Sequence, residues 1–160
     1  MKDSQVIKKA EEIINKILSF FDISMDSKVS MEVDDQDARF LKVVIEGEDL
    51  GRLIGYRGNT LNSLQLIFAQ ILSSEIGEPI PVLIDVNGYR DRRSKYLESL
   101  ALRAAREAKE SGQDIELPPL GAFERRIVHL HLKKEKGVST ISEGEGRERH
   151  IIVKIDKEKK

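Results

Sequence analysis

The chain contains no cysteine, which excludes disulfides, thiolate nucleophiles and cysteine-rich metal sites. Tryptophan is absent too, and aromatic residues make up only 5% of the 160 positions, too few to pave a sheet with base-stacking rings. Neither sign of charge dominates. Lys and Arg total 27 against 28 Asp and Glu, so the formal net charge of -1 exerts no global pull on nucleic acid or acidic lipid. Affinity for a polyanion must therefore come from a local patch. Apolar runs such as LQLIFAQIL are far shorter than the roughly 20 residues that span a bilayer, and MKDSQVIKKAEEI lacks the uncharged core of a signal peptide. The expectation is a cytoplasmic protein with no membrane insertion. What is present is an ordinary 39% of hydrophobic residues, enough for one medium or two small domains.

Val6, Ala10, Ile13, Ile17 and Phe21 recur at helical spacing, which predicts an amphipathic first helix. Val29, Met31 and Val33 alternate, as do Leu41, Val43 and Ile45, so an antiparallel strand pair joined by the acidic turn DDQDA is expected. Glycines follow in EDLGRLIGYRGNTLNSLQ, after which Asn59 or Thr60 is placed to cap a helix. Its expected buried stripe is Leu61, Leu64, Phe68 and Ile71, ending at Gly77 and Pro79; PVLIDV supplies a third strand. Asn87-Gly88 then punctuates the chain. Leu97, Leu100, Ala101, Ala104 and Ala108 form the apolar face of a second long helix that stops near Gly112. FERRIVHLHL reads as a further helix, and GVSTI and RHIIVKI as strands joined by SEGEGRE. The expected domains are residues 1–86 and 87–160, with the tail DKEKK frayed.

Gly55 and Gly58 bracket Tyr56 and Arg57 at the mouth of the predicted helix. Glycine accepts positive φ and has no Cβ, so another backbone could approach the unpaired N–H groups of the helix start. Those groups and the helix dipole attract phosphate, but the dipole contributes only about 0.3–1 kcal/mol, so useful affinity needs several contacts in a row. The plainer alternative is a tight turn whose glycines merely let two helices pack. A Walker loop is excluded because no Gly-Lys-Ser or Gly-Lys-Thr occurs, and the spacing is not that of a dinucleotide fingerprint.

The KH module clamps the backbone of about four nucleotides with a GXXG loop. This sequence resembles the bacterial, type II-like form: a helix, two strands, a short helical turn at Leu50 to Ile54, GYRG, a helix and PVLIDV in that order. The resemblance makes Gly55, Tyr56, Arg57, Gly58, Asn59 and Thr60 the backbone grip, with Ile54, Leu61 and Leu64 contributing an apolar groove for bases. Downstream, ERRIVHLHL, VSTISEGEGRERHIIV and DVNGYRDRRSKYLESLALRAA are similar to the Arg-x-x-x-His (R-3-H) domain and linker helix of the bacterial Jag family, also called SpoIIIJ-associated or KhpB proteins. That similarity runs from about Val29 to Ile155.

The implied fold class is α+β, a KH domain followed by a small α/β Arg-x-x-x-His domain, joined by a long helix. The implied activity is binding of single-stranded RNA, or single-stranded DNA, without catalysis or cofactor, and the implied partners are a small KhpA-type KH protein or a second copy. The family's eponymous pair falls on Arg125 and His129, four apart and on one helix face, with Ser142, Arg147 and Arg149 as further candidates. From spacing alone, a solvated helix face is the plainer reading of Arg125 and His129, and a catalytic or metal role for His129 lacks partners of suitable spacing. Arg90, Arg92, Arg93 and Lys95 could extend a nucleic-acid track or simply pair with Asp91 and Glu98. Two departures stand out. Many members carry a further N-terminal domain, whose roles are not transferred here, and Tyr56 occupies a loop position where a basic residue is common.

Overall fold

A computed structural model describes residues 2–156; residues 157–160, the greater part of the expected frayed tail, and residue 1 lie outside the described residues. The chain divides into two compact units, Met1–Arg90 and Asp91–Lys160.

In the first unit, helix α1 (Asp3–Leu18) buries Val6, Ala10, Ile14 and Leu18, one residue per turn. Ile13, Ile17 and Phe21, expected on the stripe, flank it and pack partly against the core. Strands β1 (Met25–Val33) and β2 (Arg39–Gly47) are antiparallel with Val29 opposite Val43. Their turn is closed by the Asp34 carboxylate, which accepts the Gln36 and Ala38 amides at 2.8 Å each. Helix α2 (Gly51–Ile54) and helix α3 (Asn59–Ile76) lead to strand β3 (Val82–Val86), which lies parallel to β2. The sheet order β1-β2-β3 makes β2 central, and its Leu41, Val43 and Ile45 are wholly buried. Against them sit Leu53, Leu61, Phe68 and Leu72 from α2 and α3. The α3 stripe ends on Leu72, not Ile71, which is 38% exposed. The steps from Leu61 through Leu64 and Phe68 to Leu72 keep to one face, and residue 71 lies about 65° from its centre, at the edge.

The second unit holds most of helix α4 (Tyr89–Ser111), whose buried face is Leu97 with Ala101, Ala104, Ala105 and Ala108. Such small side chains let neighbouring backbones approach closely. Strand β4 (Ile115–Glu116) is followed by helix α5 (Ala122–Leu132) and by strands β5 (Val138–Glu143) and β6 (His150–Ile155). The sheet order is β4-β6-β5, both pairings antiparallel. Val128 and Leu132 of α5 close the core over Val138, Ile151 and Val153. The sequence reading did not foresee β4, because a two-residue strand has no alternation to detect. The α+β class holds in both units. No helix among the described residues is long and apolar enough to cross a membrane.

Candidate nucleic-acid interface

The Gly-x-x-Gly segment is a single 3-10 turn, Tyr56–Gly58, wedged between α2 and α3. Tyr56 is 73% exposed at its tip, and the Arg57 guanidinium lies over the Tyr56 ring, 4.9 Å from its centre. The loop cation and the loop aromatic thus form one projecting unit. The two glycines have different neighbours. A Cβ on Gly55 would fall 2.0 Å from Thr60 Oγ1, while one on Gly58 would meet Tyr89 Cε1 at 2.9 Å. Gly58 is buried beneath the Tyr89 ring and Gly55 is half-buried.

Three expectations are corrected here. Gly58, in the left-handed conformation, stands at the N-cap of α3 and no side chain caps the helix, so neither Asn59 nor Thr60 serves as the cap. The Thr60 hydroxyl packs against Gly55 instead. Part of the amide set expected to be open is bonded within the turn, Gly58 N–H to the Gly55 carbonyl at 3.4 Å and Asn59 N–H to the Tyr56 carbonyl. Leu61 and Leu64 are 0% and 6% exposed, so they belong to the core and offer nothing to a base. Ile54, only partly buried, keeps an exposed edge beside the loop.

Arg90, expected on a nucleic-acid track, has a different role. Its Nε donates to the Ile84 carbonyl at 2.7 Å and its guanidinium to Gln65 Oε1 at 2.9 Å, while its backbone N–H donates to Asp85 Oδ1 at 3.0 Å. It locks the start of α4 to β3 and α3. Burial pushes its guanidinium below the usual arginine value, against the opposing pull of Asp85 and Tyr89. Arg93 is likewise committed: its Nε donates to Glu124 at 2.7 Å, with the two side chains only 20% and 12% exposed, and it lies over the Tyr96 ring. Lys95 pairs with Asp91 one turn away at 2.8 Å.

In the second unit, Arg125 and His129 both stand on α5, and Arg125 donates to the Leu120 carbonyl at 2.7 Å, which fixes its guanidinium at the helix entrance. His129 Nδ1 lies 2.6 Å from Thr140 Oγ1 on β5. Thr140 and Ser142 are two residues apart on that strand and so share a face. Arg149 donates through Nε to Ser142 Oγ at 2.9 Å. Hydrogen bonds and strand geometry thereby link His129, Thr140, Ser142 and Arg149 along one polar strip. Arg147 lies in the exposed 3-10 turn Gly146–Glu148. Thr140 was missed from the sequence, where the only available signal was its spacing of two from Ser142. Among the described residues, no cluster of three or more His, Asp or Glu is arranged to hold a metal.

Two domain models match the chain, the KhpA/KhpB KH domain over residues 10–82 and the R-3-H domain over residues 95–154. With the fold above, they define a two-module protein, a KH domain followed by an R-3-H domain. The chain is 34% identical over 150 residues to the RNA-binding protein KhpB of Clostridium symbiosum, a match covering 94% of this chain and 66% of that protein. It is 29% identical to the RNA-binding protein KhpB of Streptococcus pneumoniae over 144 residues, 90% of this chain and 43% of that one. The RNA-binding protein KhpA of Thermotoga maritima matches over 62 residues at 29% identity, 39% of this chain and 83% of that protein. The chain belongs to the KhpB family, and it spans just under two thirds of the first of these relatives and under half of the second.

Proposed function

We propose that this chain binds single-stranded RNA in the cytoplasm as a post-transcriptional regulator or RNA chaperone, without catalysing a reaction. The observation that carries this reading is the Tyr56–Arg57 tip, an exposed ring with a half-buried cation stacked on it in a turn in front of α3. A ribose-phosphate chain lying along that turn meets the Arg57 charge and the positive end of α3, while the Tyr56 face accepts a base. The strip of His129, Thr140, Ser142 and Arg149, with Arg125 and Arg147 beside it, supplies a second, weaker contact through hydroxyl, imidazole and guanidinium donors. Tight discrimination among bases is not expected from so few groups.

If about three or four phosphates are neutralised, log affinity should fall with log salt at a slope of about -2 to -3, using the single-strand factor of ~0.7 per phosphate. Fluorescence anisotropy of a labelled oligouridylate across a sodium chloride series measures it. A slope near zero would remove electrostatic backbone gripping from the account.

A second reading, in which the KH module pairs with another subunit, draws on a separate feature. Helix α3 contains one ionisable residue, Glu75, in a chain that is 34% charged, and it exposes Leu66, Ile67 and Ile71 to solvent at 63%, 55% and 38%. An uncharged apolar face of this kind suits a second KH module, either another copy of this chain or a small KhpA-type protein. Sedimentation velocity should then show a dimer, and Ile67→Lys should return it to monomer with RNA binding per chain reduced less than twofold. A monomeric wild-type chain, alone and mixed with the small KH protein, would eliminate this pairing.

A further inference from the structure

The R-3-H module carries a surface feature on the side of α5 roughly opposite Arg125 and His129. Phe123, Ile127 and Leu130 follow one another at spacings of four and three, which places them in one stripe down the helix, and Lys134 follows in the turn just past its end. Phe123 is 72% exposed and Leu130 49%. The stripe rises about 10 Å from Phe123 to Leu130, two helical turns. At its C-terminal end it opens into a shallow cavity of about 490 Å³ lined by Ile127, Leu130, His131, Lys133, Lys134 and, from α4, Glu98.

The charges around the stripe are unbalanced. The segment AFERRIVHLHLKKEK, residues 122–136, holds two acids, and both are already paired with α4: Glu124 with Arg93 and Glu135 with Lys109 at 3.2 Å. Arg126, Lys133 and Lys134 have no ion-pair partner among the described residues. An apolar stripe two turns long therefore runs beside cations that have no ion-pair partner among the described residues, with Glu98 the one acid on the cavity wall, in a protein whose overall charge is close to neutral. Lysines near the end of α5 do suit the helix dipole, but that local effect accounts for neither Arg126 nor the exposed Phe123 and Leu130.

We propose that this groove docks an acidic amphipathic helix of a partner protein, apolar side chains seated on Phe123, Ile127 and Leu130 and carboxylates meeting Arg126, Lys133 and Lys134. Helix-in-groove recognition uses anchors at this periodicity, and the surrounding charge selects an acidic partner. A nucleic acid is the poorer occupant. Phosphates would satisfy the cations and the Phe123 ring offers one face to a base, but the aliphatic floor of Ile127 and Leu130 offers no second ring on which a neighbouring base could stack.

The test pans a phage-displayed library of short peptides against the full chain, with counter-selection on the Leu130→Asp/Lys133→Glu/Lys134→Glu variant. Enriched peptides should carry apolar residues at i, i+3 or i+4, and i+7, with net negative charge. In anisotropy titrations they should bind the full chain at least about tenfold more tightly than the variant, the loss expected when a central anchor and its charges are removed together. Lys133→Glu with Lys134→Glu alone leaves the apolar packing intact, and the same direction of change is required of it should the triple variant unfold. The oligouridylate affinity of both variants should match the parent, and peptide binding should survive in Tyr56→Asp/Arg57→Asp, so this docking site and the RNA-gripping loop fail or stand separately. Selection of neutral or basic peptides, equal affinity for parent and variants, or displacement of the peptide by oligouridylate would each overturn the docking site.

Discussion

Tyr56→Asp combined with Arg57→Asp is expected to weaken oligouridylate binding about 100-fold or more at low salt, equivalent to ~2.7 kcal/mol. The reasoning is local. Tyr56 and Arg57 are the loop's projecting groups, and their mutual contact means that replacing both removes the cation and the stacking face together. Two carboxylates then stand where phosphates must pass, so repulsion is added to the lost attraction. The fold should be spared. Arg57 already sits at a positive φ of 51°, a conformation that aspartate tolerates better than most residues, and the exposed Tyr56 side chain contributes little to the core. The measurement is anisotropy on wild-type and variant chains, with thermal melting alongside. A folded variant that binds within about threefold of the parent would move the RNA grip away from this loop.

Much of the architecture was legible because both kinds of hydrophobic period are clean in this chain. The alternation around Val43 located the central strand, and Leu61, Leu64 and Phe68 located the helix behind the loop. What escaped the sequence reading depends on which face a side chain turns toward. Ile71 and Leu72 are equally apolar, yet only Leu72 continues the buried face, and the difference becomes visible once the phase of α3 is fixed against β2. The same holds for function. Leu61 and Leu64 read as a base groove from their place after GYRG, but core packing claims them. Arg90 looked like part of a basic surface track, whereas its donors answer the Ile84 carbonyl and Gln65, long-range partners that no spacing rule reveals. Arg93 likewise found Glu124, 31 positions away. Thr140 was hidden for the converse reason: its contact with His129 joins a strand to a helix, and one threonine in a β-like run is unremarkable.

Gly55→Ala should destabilise the KH module by about 3 kcal/mol, more than Gly58→Ala, although the sequence treats the two glycines alike. Gly55 sits at φ 69° and ψ -174°, a region that is almost the preserve of glycine and costs other residues about 1–3 kcal/mol. A methyl there also has no space, since Thr60 Oγ1, Cβ and backbone N would lie 2.0, 2.7 and 3.0 Å away. Gly58, at φ 80° and ψ 10°, occupies the milder left-handed region, and its new methyl would press mainly on the edge of the Tyr89 ring, a side chain with some freedom to shift; about 1–2 kcal/mol is expected. Thr60→Ala in the Gly55→Ala background should recover roughly 1 kcal/mol by removing Oγ1, and no more, because the Cβ, the amide and the backbone strain all persist. Urea unfolding of the four chains, followed by a probe within residues 2–90, gives the ordering directly. Equal losses at the two glycines, or full rescue by Thr60→Ala, would mean that the backbone at residue 55 is not held in its strained conformation.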